Sequence, residues 1–108
     1  MLVSFPEPDW RVLHALEGSV FDRLDARLLH DVQAALQASG SSASRVASID
    51  TLLRERNRVG SAIAPLFRRS KALILVVTLR RAALLTDEEF GSLSQATREA
   101  VLRALSVS

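Results

Sequence analysis

The side chains of this 108-residue sequence best suited to chemistry are two histidines and a scatter of carboxylates. His14 precedes Glu17 by three positions, a spacing that faces one way on a helix, and His30 adjoins Asp31. Two imidazoles and a carboxylate would hold a divalent metal if their helices met. Neither histidine, however, belongs to an HExxH or HxH pattern. They read as half-exposed surface residues, and no metal or other cofactor is expected. The serines form no GxSxG elbow and no SxxK motif, so local sequence prepares no nucleophile. Asp87, Glu88 and Glu89 are accounted for by helix initiation. There is no Walker loop or GxGxxG turn. Residues 39–44, SGSSAS, precede a helix and have N–H groups that an anion would accept, but capping and linking is the simpler role. The chain therefore reads as non-enzymatic.

Basic residues offer a second chemistry. Arg45, Arg54, Arg56, Arg58, Arg68, Arg69, Lys71, Arg80 and Arg81 would make phosphate contacts if they shared a face. Residues 41–85 hold these nine bases against Asp50 and Glu55, a net of +7, whereas acids outnumber bases on either side. An acidic–basic–acidic order results, in which the flanks neutralise the middle unless an anionic partner does so. Phe67 is the sole aromatic residue within the basic stretch, which disfavours single-strand binding by stacking. Asp50 and Arg54 already stand at i,i+4. Nucleic-acid association is thus the alternative to a protein–protein role.

Composition sets the frame for both. The length suits one domain with a modest core, and the hydrophobic content of 48% is normal for a folded protein. All but one of the 14 Lys and Arg residues are arginine, which we read as the coding bias of a GC-rich, bacterial genome. The absence of cysteine excludes disulfides and thiolate ligands. The start, MLVSFPEPDW, lacks the basic and apolar regions of a secretory signal, so the expected location is cytoplasmic.

The elements that must position these residues read as helical almost throughout. Residues 1–8 are expected to be an extended lead-in, with Pro8 in the first helical turn and Gly18 as the stop. From Ser19 to Gly40, Phe21, Leu24, Leu28, Val32, Ala35 and Leu36 follow one helical stripe. After the short 39–44 hinge, with Ser41 or Ser42 as N-cap, Val46, Ile49, Leu52 or Leu53, Val59 and Ile63 continue the period. Gly60 and Pro65 should kink or end that helix. Thr86 and Glu89 form the T-x-x-E pattern of a capping box. Gly91 and Ser92 divide the remainder into a short turn and a helix from Ser94.

The stretch FRRSKALILVVTLRRAALLTDEEF, residues 67–90, decides the architecture. Its uncharged run, Ala72–Leu79, would span roughly 12 Å as a helix, far short of a bilayer core of about 30 Å. It is apolar on all sides, which fits neither a surface-lying helix nor a solvated one. The segment LRRAALLTDEEF resembles the helix–LTDEEF–helix element of the short C-terminal oligomerisation domain of some bacterial proteins. That pattern usually has glycine where Ala83 stands and a lysine-rich second helix, which this sequence lacks. The expected fold is all-α, a compact bundle of four or five helices in a single domain, with residues 66–85 as the central helix. The expected function is a small interaction, regulatory or subunit-type protein, self-associating as a homo-oligomer or bound to a protein partner. Whether the central helix is covered by one chain or two is the question left for the structure.

Overall fold

The structure, a computed structural model, describes residues 5–107. It is all-α, with no strand among the described residues. Five helices of nine or more residues and one short one follow in order: α1 Glu7–Ala15, α2 Glu17–Gln37, α3 Ser42–Ile63, α4 Ala72–Arg81, α5 Asp87–Gly91 and α6 Gln95–Ser106. Two 3-10 turns, Ala64–Leu66 and Arg69–Lys71, link α3 to α4. No helix of the described residues is long and apolar enough to cross a membrane.

α4 is the centre of the bundle, and its covering comes from its own chain. Leu75, Val76 and Leu79 are fully buried, together with Leu13 of α1, Val20 of α2, Ile63 of α3 and Val101 of α6. Burial of each such side chain contributes roughly 1.5–3 kcal/mol. The apolar character is not matched by complete burial, because Ile74 stays 55% exposed on the outer side of α4.

The helical part of this segment is shorter than the expected 66–85. Pro65 lies in a 3-10 turn, and Arg68 is extended, with φ −140° and ψ 144°. The chain reverses there, and Arg69 reaches back to donate to the Phe5 carbonyl and to pair with Glu7. At the other end a Schellman motif stops α4. Leu84 N–H donates to the Leu79 carbonyl at 2.9 Å and Ala83 N–H to the Arg80 carbonyl at 3.1 Å. Both Leu79 and Leu84 are fully buried, which is the apolar contact this motif favours. Ala83 takes φ +54°, the left-handed conformation that glycine adopts more cheaply.

Other boundaries also move. Of the expected 1–8 lead-in, residues 1–4 lie outside the described residues. Phe5 is buried, Pro6 is extended, and α1 already starts at Glu7 with Pro8 in its first turn. The break between α1 and α2 falls at Leu16, so Gly18 and Ser19 sit inside α2, not at its edge. Gly60 is likewise helical, and α3 continues to Ile63. The other signals hold. Gly40 has φ +120°, Ser41 accepts from Ser44 N–H, and Thr86 and Glu89 form a reciprocal capping box.

α2 and α3 reach well past the bundle. Their fully buried residues are confined to the shared base: Val20 and Leu24 on α2, Gly60 and Ile63 on α3. Every residue from 25 to 59 is half-buried or exposed. The two helices therefore form an antiparallel hairpin arm. The radius of gyration is 16.7 Å, against about 13 Å for a compact chain of this length.

Candidate interaction surface

The arm is held by a narrow seam. Leu28, Val32 and Ala35 on α2 are half-buried, as are Arg45, Ile49, Leu52 and Arg56 on α3. At the tip, Arg45 donates to the Gly40 carbonyl at 2.8 Å, and towards the base Arg56 pairs with Asp25 at 2.7 Å. The seam residues of α3 recur every three or four positions, as required where two helices pack.

Four large apolar side chains remain outside that seam: Leu29 at 68%, Leu36 at 60%, Val46 at 66% and Leu53 at 43% exposure. Each directly follows a seam residue, namely Leu28, Ala35, Arg45 and Leu52. One residue turns a right-handed helix by about 100°. On two antiparallel helices that face each other, the residue after a seam position turns to the same flank. Leu29 and Leu53 form one rung across the arm, and Leu36 and Val46 a second, seven residues or about 10 Å nearer the tip. These four were missed as a surface at the level of sequence, where Leu36 and Val46 were counted as inward. The available signal was doubling. Leu28-Leu29 and Leu52-Leu53 make stripes wider than a two-helix seam can cover.

The opposite flank faces the bundle. There Arg27 donates to the Ala82 carbonyl at 2.7 Å and also to the Ala83 carbonyl, neutralising the free carbonyls at the end of α4. Beside it lies a hollow of about 370 Å³, with Leu24, Leu28, Leu52, Val59 and Ala82 in its wall and Arg27, Asp31, Glu55, Arg56 and Arg58 at its rim. The charged rim is partly self-neutralised, since Arg58 grips Glu55 through two hydrogen bonds at 3.0 and 2.6 Å. That contact holds the Glu55 carboxyl below its ordinary pKa.

The nine basic residues considered from sequence are spread over the arm, the α3–α4 link and both ends of α4. Five make ion pairs: Arg54 with Asp50, Arg56 with Asp25, Arg58 with Glu55, Arg69 with Glu7 and Arg80 with Asp87. Arg80 also bonds the Leu85 carbonyl and lies over the Phe90 ring at 4.7 Å. Arg45 binds carbonyls of the hairpin turn. Among the described residues, the side chains of Arg68, Lys71 and Arg81 make no hydrogen bond or ion pair.

The carboxylates best placed by burial have structural duties. Asp9 is 3% exposed and accepts from Ser94 N–H at 2.8 Å, Ser94 Oγ at 2.7 Å and Thr97 Oγ1 at 2.6 Å. It thus caps α6 from α1. Burial raises its pKa, but the bonds from Thr97 and Ser94, aided by the Arg98 charge, outweigh this and hold it below the usual value. Glu89 is held at about 2 by the hydrogen-bonded Arg23 guanidinium, with Thr86 adding to the effect against burial. His14 stacks on Trp10 with ring centroids 5.3 Å apart. Among the described residues no three metal-ligating side chains gather. The Ser39–Ser44 stretch caps α3, with Ser41 taking the Ser44 N–H.

No family model matches this chain, and neither do the curated proteins or the solved structures with which it was compared.

Proposed function

We propose that this is a small, cytoplasmic, non-enzymatic interaction module that works through self-association, with the α2–α3 arm as its binding element. One observation carries the reading. Leu29, Leu36, Val46 and Leu53 form two apolar rungs on the flank turned away from the bundle. The arm has no packed core of its own, and covering this flank would supply one. Removing the exposed part of four such side chains from water favours association at roughly 25 cal/mol per Å². The best-shielded carboxylates add support for a non-enzymatic role, because Asp9 and Glu89 are already committed to helix ends. We favour this over nucleic-acid binding because five of the nine candidate bases are neutralised by acids of the same chain.

Analytical ultracentrifugation tests the reading. The expected result is a species larger than one chain at micromolar concentration, reverting to a monomer in the Leu29→Glu/Leu53→Glu variant with its helical circular dichroism unchanged. A wild-type protein that stays monomeric to about 100 µM would sink it, because such weak association (Kd above that range) falls short of a specific interface.

A further inference from the structure

We infer that the cleft between the arm and α4 is a binding site for a small aliphatic acid, an unbranched hydrocarbon chain that ends in a carboxylate. The site lies on the flank opposite the apolar rungs, so it stands whether or not the chains pair.

A second hollow, of about 460 Å³, adjoins the one beside Arg27. The two share Arg58, Val59 and Ala82. Along α3 they run together from Leu52 to Ile63, about 16 Å of helix. Each has a volume within the range of about 300–1,000 Å³ usual for small-molecule sites. Leu28 and Leu52 stand at one end, Ala62 and Ile63 at the other, and Val59 and Ala82 between them. No aromatic side chain lines either hollow, so the walls suit a flexible aliphatic chain and offer no ring to stack on.

Charge selects the head group. Arg58 and Arg81 line the second hollow, and no acid does. Arg81 is exposed and makes no hydrogen bond or ion pair among the described residues. Arg58 spends Nε and Nη2 on Glu55, which leaves its Nη1. The Thr78 hydroxyl donates to the Ile74 carbonyl at 2.8 Å, so the two guanidiniums are the side-chain donors left in this hollow. A guanidinium presents paired N–H groups that match the two oxygens of a carboxylate. The carbonyls at the end of α4, which would repel an anion, are already covered by Arg27. At the far rim Arg56 is committed to Asp25. Asp31 makes no bond there among the described residues, but it stands one helical turn from the Arg27 charge, which offsets its pull on a cationic head. A chain lying along α3 therefore has its head at Arg81 and its tail at Leu28 and Leu52.

Dodecanoate, kept below its micellar range, is the probe, and isothermal titration calorimetry the measurement. The expected result is saturable binding of one dodecanoate per chain with a Kd below about 100 µM, which a ligand of this size can reach. Arg81→Gln should weaken binding about tenfold, the scale of a charge-assisted hydrogen bond, and Arg81→Lys should weaken it less. Ala62→Trp, which fills the second hollow, should abolish it. Both positions are exposed, so these variants keep the fold, as circular dichroism would verify. No saturable binding up to about 1 mM overturns the site. Unchanged affinity in Arg81→Gln overturns the anionic assignment. So does dodecyltrimethylammonium, the same chain with a cationic head, binding as tightly as dodecanoate or more so. Binding that survives Ala62→Trp places the chain elsewhere, as on the apolar rungs, and overturns the site too.

Discussion

Arg23 and Glu89, 66 positions apart, meet in a bidentate pair in which Nη1 donates to Oε1 at 2.7 Å and Nη2 to Oε2 at 2.6 Å. The same arginine donates to the Leu84 carbonyl at 3.0 Å, and the same glutamate accepts the Thr86 N–H that completes the capping box. One pair thus fastens the base of α2 to the whole turn between α4 and α5. Geometry of this kind, partly shielded and two-pronged, is the sort of ion pair that affects stability measurably.

Acid sensitivity follows from it. Glu89 is held at about 2 against an ordinary 4.5, so its contribution is complete above about pH 4.5 and is lost as pH falls towards 2. Glu89→Gln should cost about 1–3 kcal/mol at pH 7 and flatten the fall in melting temperature between pH 5 and 3. Parallel pH profiles for the two proteins would show that the pair adds nothing.

A second expectation concerns Asp9. Asp9→Ala leaves the Ser94 and Thr97 hydroxyls without their acceptor inside the bundle and strips the start of α6 of a carboxylate. A loss of about 2–4 kcal/mol is expected by chemical denaturation. Asp9→Asn keeps one acceptor oxygen and should lose less. Equal losses would mean that charge, not hydrogen bonding, fixes this corner.

Ala83 offers a gain. Its φ of +54° costs an L-residue about 1–2 kcal/mol, part of which glycine returns in greater freedom of the unfolded chain. Ala83→Gly should raise stability by about 0.5–1 kcal/mol without changing self-association. A lower melting temperature would indicate that the Ala83 side chain makes a contact outweighing its strain.

Val76, fully buried on α4, tests the core itself. Val76→Asp places a carboxylate inside the apolar core and should abolish the cooperative thermal transition. Retention of the wild-type transition would contradict the placing of α4 at the centre.

How much of this was legible beforehand depended on whether a signal was local. The capping box of Thr86 and Glu89, the glycine turn at Gly40 and the apolar run of α4 act within a few residues, and each was readable. The shortening of the central helix was harder to see. Arg68 and Ala83 carry no helix-breaking chemistry, and the breaks are set by where α3 must hand over to α4 and by Arg27, distant in sequence, binding the Ala82 and Ala83 carbonyls. Nothing local marks the duty of Asp9, because its partners are 85 and 88 positions away. The apolar flank escaped for a related reason. Periodicity marks which side chains are apolar but not how many a single neighbouring helix can cover.

The arm also governs how the molecule moves through water. At 54 × 28 × 23 Å the single chain is about twice as long as it is wide, and friction grows with elongation. One copy should therefore diffuse more slowly than a sphere of its mass and leave a sizing column early, in the position of something heavier. Two copies joined along the arms with tips together would make a rounder particle, and with tips opposed a longer one, so the ratio of the two diffusion coefficients becomes a gauge of how the arms are joined.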